Sequence, residues 1–535
     1  AYGTGSETLR RQKSGAGGGR HSDAQRSKRG GGAGGSTSII LAAMMMSMVS
    51  QSFAFSLSRL DVRGQGMQSL RLRRCSGRCE LSVSRMQVST SDQSLWYAPK
   101  RVVEVDGGLR GNALRIWLEE EHGVDMSKVD LQRSPLEGLG VFANRRLEPG
   151  ETLFMIPKSC CIYPELVFED RQLGKSMQKL ASAAGEGIEV VALATFLARE
   201  KMKGSESSYK PFIDVLPWDS LHPLLWTDEE VDLLEGTYAH REILAFREQV
   251  EVATELFEPV LNPKGWKQFF QTIETEKMTP EEFGFMMRGA FASVLSRAFD
   301  SKIGRGDKGL EERVVIPLLD IFNHGSYGPS ITFDTALERD NEKGFPVRVA
   351  DKGKSIEEGE ELFGFYGDKP NWNMLTTYGF VSPNPKCQET TLSVSIDEKD
   401  PYFAQKEEIL KARGMVAVEQ LFDIRHDTDP MGPLINYFRI REISNEADLT
   451  KVQTNYGEML SEGNEARAKI FMRRIIQDRK DFIDDARARL KEAYMAGQES
   501  LVRKEVADII TMLWESEEAA INTLTDKLKA RGAYW

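Results

Sequence analysis

The spacing of apolar positions changes several times along this chain, and each change predicts a different kind of structure. Between Gly111 and His122, Leu114, Ile116, Trp117 and Leu118 cluster as they would on a helix. From Val129 the spacing shortens to alternating runs. These are interrupted by Glu137-Gly138-Leu139-Gly140, resume at Val141-Phe142-Ala143, and resume again at Leu153-Phe154-Met155-Ile156 after Glu148-Pro149-Gly150-Glu151. A Pro-Gly turn with β-like flanks predicts a hairpin there. The helical period returns over 186–203, with Ile188, Val191, Ala192, Thr195, Phe196 and Leu197 on one face. It persists to about Phe299, broken at Pro211, Pro217, Pro223, Pro263 and Pro280. The last of these helices presents Met287, Phe291, Val294, Leu295 and Ala298 and ends at Ser296-Arg297.

Two β-like stretches follow, Val315–His324 and Gly359–Gly367, separated by Gly-, Pro- and Asp-containing loops. The stretch from Asn371 to Val381 predicts a short helix running into an extended exit. From about residue 400 the helical period runs to the end. Phe471, Ile475, Phe482, Ala486 and Leu490 make one stripe; Val502, Val506, Ile509, Leu513 and Trp514 a second; Ile521, Leu524 and Leu528 a third. Such stripes read as helix-packing core.

Composition narrows the function classes. The body is acidic: the first hundred residues carry a balance of +10, which leaves −21 on the rest of a chain of net charge −11. Nucleic acid as the main partner needs clustered Lys and Arg and is disfavoured. No apolar run approaches the roughly 18 residues of a membrane helix. The N-terminal region is Gly-, Ser- and Arg-rich over 14–36 and predicts disorder. It then holds an apolar run, Ile39–Val49, a possible cut after Ala54, and an Arg-rich, acid-poor stretch from Phe55 to about 95. That layout resembles a signal peptide to residue 54 followed by a transit peptide over 55–95. The address it implies is a plastid stroma; read instead as a basic tail with a chance apolar patch, it leaves a cytoplasmic protein. Five cysteines, at 75, 79, 160, 161 and 387, support neither a disulfide framework nor a four-ligand zinc site, and no metal is expected.

The chemistry concentrates where Val315-Ile316-Pro317-Leu318-Leu319 ends in Asp320-Ile321-Phe322-Asn323-His324, and in Gly359-Glu360-Glu361-Leu362-Phe363-Gly364-Phe365-Tyr366-Gly367. Apolar runs that close on Asp, Asn, His and Tyr place polar groups where a core wants Leu and Val. Gly138 and Gly140 permit close approach of a ligand to backbone, but no third glycine completes a dinucleotide fingerprint.

The ordered set Glu137–Gly140, Ser296-Arg297-Ala298-Phe299, Asp320–His324, Gly359-Glu360-Glu361, Tyr366-Gly367 and Tyr378-Gly379-Phe380 resembles the SET-domain protein methyltransferases. With Tyr209–Ile213, Leu216-Pro217 and Leu225–Glu230 it is similar to the Rubisco large-subunit methyltransferase branch. The resemblance covers about 110–390 by motif and 400–535 by architecture only. It implies an α+β fold: a β-rich, knotted SET core over 96–390 with a helical insertion at about 175–300, then an all-α substrate-binding domain over 391–535. The cofactor implied is S-adenosyl-L-methionine, held by Glu137, Gly138, Leu139, Gly140, Arg297, Asp320, Asn323 and His324. Tyr366 is implied as the catalytic tyrosine, with Tyr378, Phe365 and Phe363 lining a substrate-lysine channel. The activity implied is protein-lysine N-methylation of a non-histone plastid protein, of the Rubisco large-subunit or aldolase type, docked on the C-terminal helices of a monomer. Histidine methylation and a catalytically idle binding module are the alternatives. Gly325, Phe365 and Asn373 depart from the family pattern, and Phe365 is placed to alter the channel.

Overall fold

The computed structural model describes residues 107–530, outside 137, 172, 185–186, 262–277, 302–311, 326–327, 334–343, 384–386, 426–430 and 496–501. The presequence reading and Glu137 therefore lie outside the described residues. Helix α1 (Gly107–Ile116) opens the description and continues as a π turn to Glu121. Strand β1 (Val129–Arg133) pairs antiparallel with β2 (Leu139–Ala143), closing a hairpin over Ser134–Gly138. The hairpin expected at Pro149-Gly150 is not there. Strand β3 (Thr152–Ile156) leaves β2 for another sheet, because Gly150 N–H donates to the Val349 carbonyl rather than turning the chain back.

Helix α2 (Gly174–Ala184) leads to α3 (Ile188–Lys203). One apolar face was expected for α3, yet it is buried on nearly all sides, from Val190 through Ala198. An all-round apolar helix belongs inside a core, and α3 runs between the β-rich part and the long helices α4 (Tyr238–Leu261) and α5 (Pro280–Arg297). Helix α5 starts at a capping box: Thr279 accepts from the Glu282 N–H, Glu282 returns the bond, and Pro280 sits in the first turn. It ends directly in β4 (Ala298–Ser301), so Ala298 belongs to that strand, which pairs with β5 (Glu312–Val315).

Strands β6 (Ile331–Phe333) and β7 (Phe345–Val349) complete a sheet in the order β3-β7-β6, and β8 (Glu361–Leu362) adds to β2. Alternate residues of β7, Phe345, Val347 and Val349, face the core. Helix α6 (Asn371–Tyr378) stops at Gly379, whose φ of 82° a side chain would strain. Its position is also crowded: a Cβ on Gly379 would lie 3.0 Å from the His222 Cα.

After residue 400 come helices α7 (Phe403–Lys411), α8 (Met431–Arg441), α9 (Glu446–Thr454), α10 (Glu462–Met495) and α11 (Lys504–Ala530). The C-terminal region is helical as expected, with one addition. Strand β9 (Glu389–Val394) pairs with β10 (Gln420–Arg425) and packs on α11. Hence the C-terminal region is not wholly α. Of the expected α10 stripe Ala486 and Leu490 are buried, but further up the helix the stripe is shifted by one position: Ala468, Met472, Ile476 and Ile483 are buried, and Phe471 and Ile475 only partly so. The next two stripes merge into the single helix α11, buried as expected.

Two hydrophobic cores result, and the insertion is divided between them. Ile188–Leu216 and most of α5 pack with strands β1 to β8. Leu221, Trp226, Leu234 and Ile243 instead pack with Leu375, Val381 and the C-terminal helices. Glu230 ties the same segment to the N-terminal approach of α11: its carboxylate accepts from Arg503 Nε at 2.8 Å and Nη2 at 2.7 Å. Arg479 does likewise, donating to the Gly236 carbonyl at 3.0 Å and pairing with Glu517. Helix α6 lies against α4, α5 and α11, so the element carrying Tyr378 bridges both cores.

Candidate active site

Position is set first by chain breaks. The stretch Val315–His324 is not the single strand its pattern suggests. β5 stops at Val315; Leu318 takes φ 78°, and Leu319–Ile321 forms one 3-10 turn. A non-glycine residue in that region costs about 1–3 kcal/mol and persists where the surroundings over-determine it; here Leu318 is fully buried. The turn drives the Asp320 side chain inward and carries Asn323 and His324 alongside the second motif. Gly364 N–H donates to the Asn323 carbonyl at 2.9 Å and Gly325 N–H to the Gly364 carbonyl at 2.8 Å. Residues some forty positions apart thereby become neighbours.

His324 is buried, and its Nδ1 accepts from the Tyr366 N–H at 3.0 Å. That bond makes the ring a backbone clamp rather than a base facing the cavity. The ring also stacks on Phe365, with centroids 5.5 Å apart. Tyr366 O–H donates to the Phe322 carbonyl at 2.7 Å. Its ring meets Tyr378 at 4.7 Å and Phe380 at 6.5 Å between centroids. Burial pushes the Tyr366 phenol above its ordinary range, with Arg297 opposing. Burial also pushes Tyr378 up to about 12, against the Arg313 charge. Both phenols are therefore neutral at physiological pH.

A cavity of about 240 Å³ opens beside these rings. Arg297, Asp320, Phe322, Phe365, Tyr366 and Tyr378 line it, together with the Asp300–Arg313 ion pair, whose Oδ1–Nε distance is 2.9 Å. Arg297 Nη1 donates to the Asp320 carbonyl at 2.9 Å and to its Oδ2 at 3.1 Å. Burial raises the Asp320 carboxyl above its ordinary value, and Arg297 pulls it back. Arg297 Nε and Asp320 Oδ1 are buried with no hydrogen-bond partner. Orphaned polar atoms on a cavity wall are what a polar ligand would satisfy.

Behind this wall sits a polar cluster. Glu361 Oε1 accepts from Asn323 Nδ2 at 2.7 Å and Oε2 from Ser134 Oγ at 2.9 Å. Asn323 Nδ2 also lies 3.4 Å from the Leu139 carbonyl. Gly140 packs so closely that a Cβ there would fall 2.4 Å from Glu361 Oε1. Gly138, at φ 64°, turns the hairpin and faces open space. Burial raises the Glu361 carboxyl, against the bonds from Asn323 and Ser134.

The sequence-read residues thus gather into one region: Gly138, Leu139, Gly140 and Asn323 in the cluster, Arg297 and Asp320 on the wall, and His324, Phe365, Tyr366 and Tyr378 around the rings. Phe363 stands apart from the cavity lining; its Cβ packs on Gly325. Sequence reading passed over Glu361, Phe380 and the Asp300–Arg313 pair. Glu361 and Phe380 sit within quoted motifs, so the signal was present; Asp300 and Arg313 carry none. Among the described residues no group of three or more His, Cys, Asp or Glu could hold a metal, and no helix is long and apolar enough to cross a membrane.

Comparison with known proteins agrees with this geometry. A crystal structure of the SET domain of LSMT bound to lysine and AdoHcy superposes with a TM-score of 0.58 at 20% identity, covering 79% of this chain and 92% of that one. The fold is therefore the SET fold. Residues 397–512 match the family model described as Rubisco LSMT substrate-binding. The chain is 30% identical over 330 residues to the chloroplastic [fructose-bisphosphate aldolase]-lysine N-methyltransferase of Arabidopsis thaliana. It is 27% identical over 334 residues to the chloroplastic ribulose-1,5 bisphosphate carboxylase/oxygenase large subunit N-methyltransferase of Pisum sativum. Each alignment takes in 61% of this chain and 62% of the relative's length. The SET fold expected from the motifs is borne out, and the C-terminal match and these relatives are what the chain resembles in the Rubisco large-subunit methyltransferase branch.

Proposed function

We propose that this chain is an S-adenosylmethionine-dependent protein-lysine N-methyltransferase acting on a non-histone plastid protein of the Rubisco large-subunit or aldolase type. The observation that carries the reading is the neutral phenol pair Tyr366–Tyr378 at a cavity whose wall holds unsatisfied Arg297 Nε and Asp320 Oδ1. S-Adenosylmethionine, when bound, supplies a methyl group on a positively charged sulfonium. Arg297, Asp320, Asn323 and the Gly138–Gly140 backbone are the groups that would hold it; the orphaned atoms and the Cβ-free approach at Gly138 fit such a ligand.

The remaining work falls to the channel. A lysine amine, with a pKa of about 10.4 in water, must be neutral to act as nucleophile. A wall of Phe365, Tyr366 and Tyr378 disfavours its charged form by desolvation. Tyr366 commits its proton to the Phe322 carbonyl, which leaves oxygen lone pairs to stabilise partial positive charge on a transferring methyl. Holding donor and acceptor in line makes the step effectively unimolecular. Tyr366 acts here as an orienter, not a base.

In this reading residues 96–390 are the catalytic domain, with its insertion at about 175–300, and 391–535 dock the protein substrate. The chloroplastic relatives favour a plastid address for the presequence-like N-terminal region. The test is calorimetry of the full chain with S-adenosylmethionine, followed by labelling of a plastid protein extract. Binding and a labelled lysine, located by mass mapping, are expected. No measurable binding sinks the enzyme reading, and label on a histidine shifts it to the alternative chemistry.

A further inference from the structure

Among the described residues no cation answers the Glu361 carboxylate. Its two oxygens receive hydrogen bonds from neutral groups only, Asn323 Nδ2 and Ser134 Oγ. Among the described residues no Lys or Arg pairs with it, and the interactions that set its titration include no cation. A largely buried carboxylate without a counter-charge is costly. It is also held in place with care. Ser134 Oγ, which donates to it, in turn accepts from the Leu136 N–H at 3.1 Å. Gly140 leaves room for it, and Asn323, a proposed cofactor contact, is oriented by it. Burial chiefly keeps the Tyr366 phenol protonated, and the Tyr378, Asp320 and Glu361 groups add to it in the same direction. A carboxylate that orients Asn323, with no cation paired to it among the described residues, suits a cation brought by the ligand.

We propose that Glu361 is the anionic element of the cofactor site: it fixes Asn323 and the β1–β2 loop, and its charge makes the site favour the positively charged methyl donor over the neutral sulfide left after transfer. The inference rests on the cofactor reading above. The preference would aid turnover, since a site that loses attraction for its ligand once the methyl has gone releases the product sooner.

The test compares dissociation constants of S-adenosylmethionine and S-adenosylhomocysteine by calorimetry at pH 8, on the wild-type chain and on Glu361→Gln. Glutamine keeps the shape and the acceptor for Asn323 but removes the charge. Donor affinity should fall about tenfold, the scale of losing one partly screened charge, while affinity for the sulfide stays within about twofold. Glu361→Asp, which withdraws the charge by one methylene, should move the same ratio in the same direction by less. It carries the test if thermal melts show that the glutamine chain does not fold. Equal loss of both ligands would mark Glu361 as a structural brace and overturn the inference, as would an unchanged ratio in either variant. A wild-type chain that binds neither ligand overturns the cofactor reading itself, and the inference with it.

Discussion

The joint between the insertion and the C-terminal helices can be broken at one residue. The Glu230 side chain is fully buried, and Arg503 meets it with Nε, Nη2 and its backbone N–H. Burial works to raise the Glu230 carboxyl; the Arg503 bonds outweigh it and hold the group below its ordinary value. Arg503→Met keeps much of the side-chain volume but leaves the carboxylate only two backbone donors, from Thr227 and from residue 503. Removing one partner of a buried pair costs about 3–5 kcal/mol. The lower end applies here, about 3 kcal/mol, because Arg503 is one-third exposed and screened by solvent. That is a large share of a typical 5–15 kcal/mol. The assay is urea denaturation of wild type, Arg503→Met, Glu230→Gln and the double variant. The double should lose less than the two singles summed, by more than about 1 kcal/mol, since removing both charges relieves the stranded one. The sign with pH is fixed too: a lowered folded pKa adds stability above the unfolded carboxyl value, lost as pH falls through the folded one, so this acid-limb loss should vanish in Arg503→Met. A single-variant loss under about 1 kcal/mol, or strict additivity, would refute the reasoning.

Two further outcomes follow from the site. Tyr366→Phe removes the oxygen that faces the cavity, and turnover should drop by about 10²–10³-fold with cofactor affinity nearly kept; unchanged turnover in a methylation assay removes Tyr366 from its role. His222, buried with its Nδ1 accepting from the Leu224 N–H, has its pKa lowered to about 4, chiefly by burial. Its unfolded form takes up a proton first, so stability should fall as pH drops from about 6.5 towards 4, by up to about 3 kcal/mol; a His222→Gln chain with the same pH dependence between those limits would contradict this.

Much of this protein could be read without coordinates. The α3, α5 and α11 helices follow from the hydrophobic period, and the site residues announced themselves as polar groups closing apolar runs. What misled was where local pattern and partner choice differ. Pro149-Gly150 has hairpin chemistry, yet β3 pairs with β7, nearly two hundred residues on, because a turn signal fixes a bend and not the strand that follows. Gln420–Arg425 lay unseen within a helical region, since six residues of mixed polarity gain strand character only from β9 beside them. Leu318 in its strained conformation has no signature at all; only burial from every side holds it there.

The sequence by itself determined most of the element types, the glycines of the Gly138–Gly140 loop and the identity of the chemical groups, because these depend on side-chain chemistry and short-range spacing. Only the tertiary structure decided that Glu361 braces Asn323, that Asp320 faces Arg297, and that residues 221–243 share a core with the C-terminal helices. Those facts depend on contacts between segments tens to hundreds of residues apart, and no local pattern in the chain encodes which distant surface a buried group will meet.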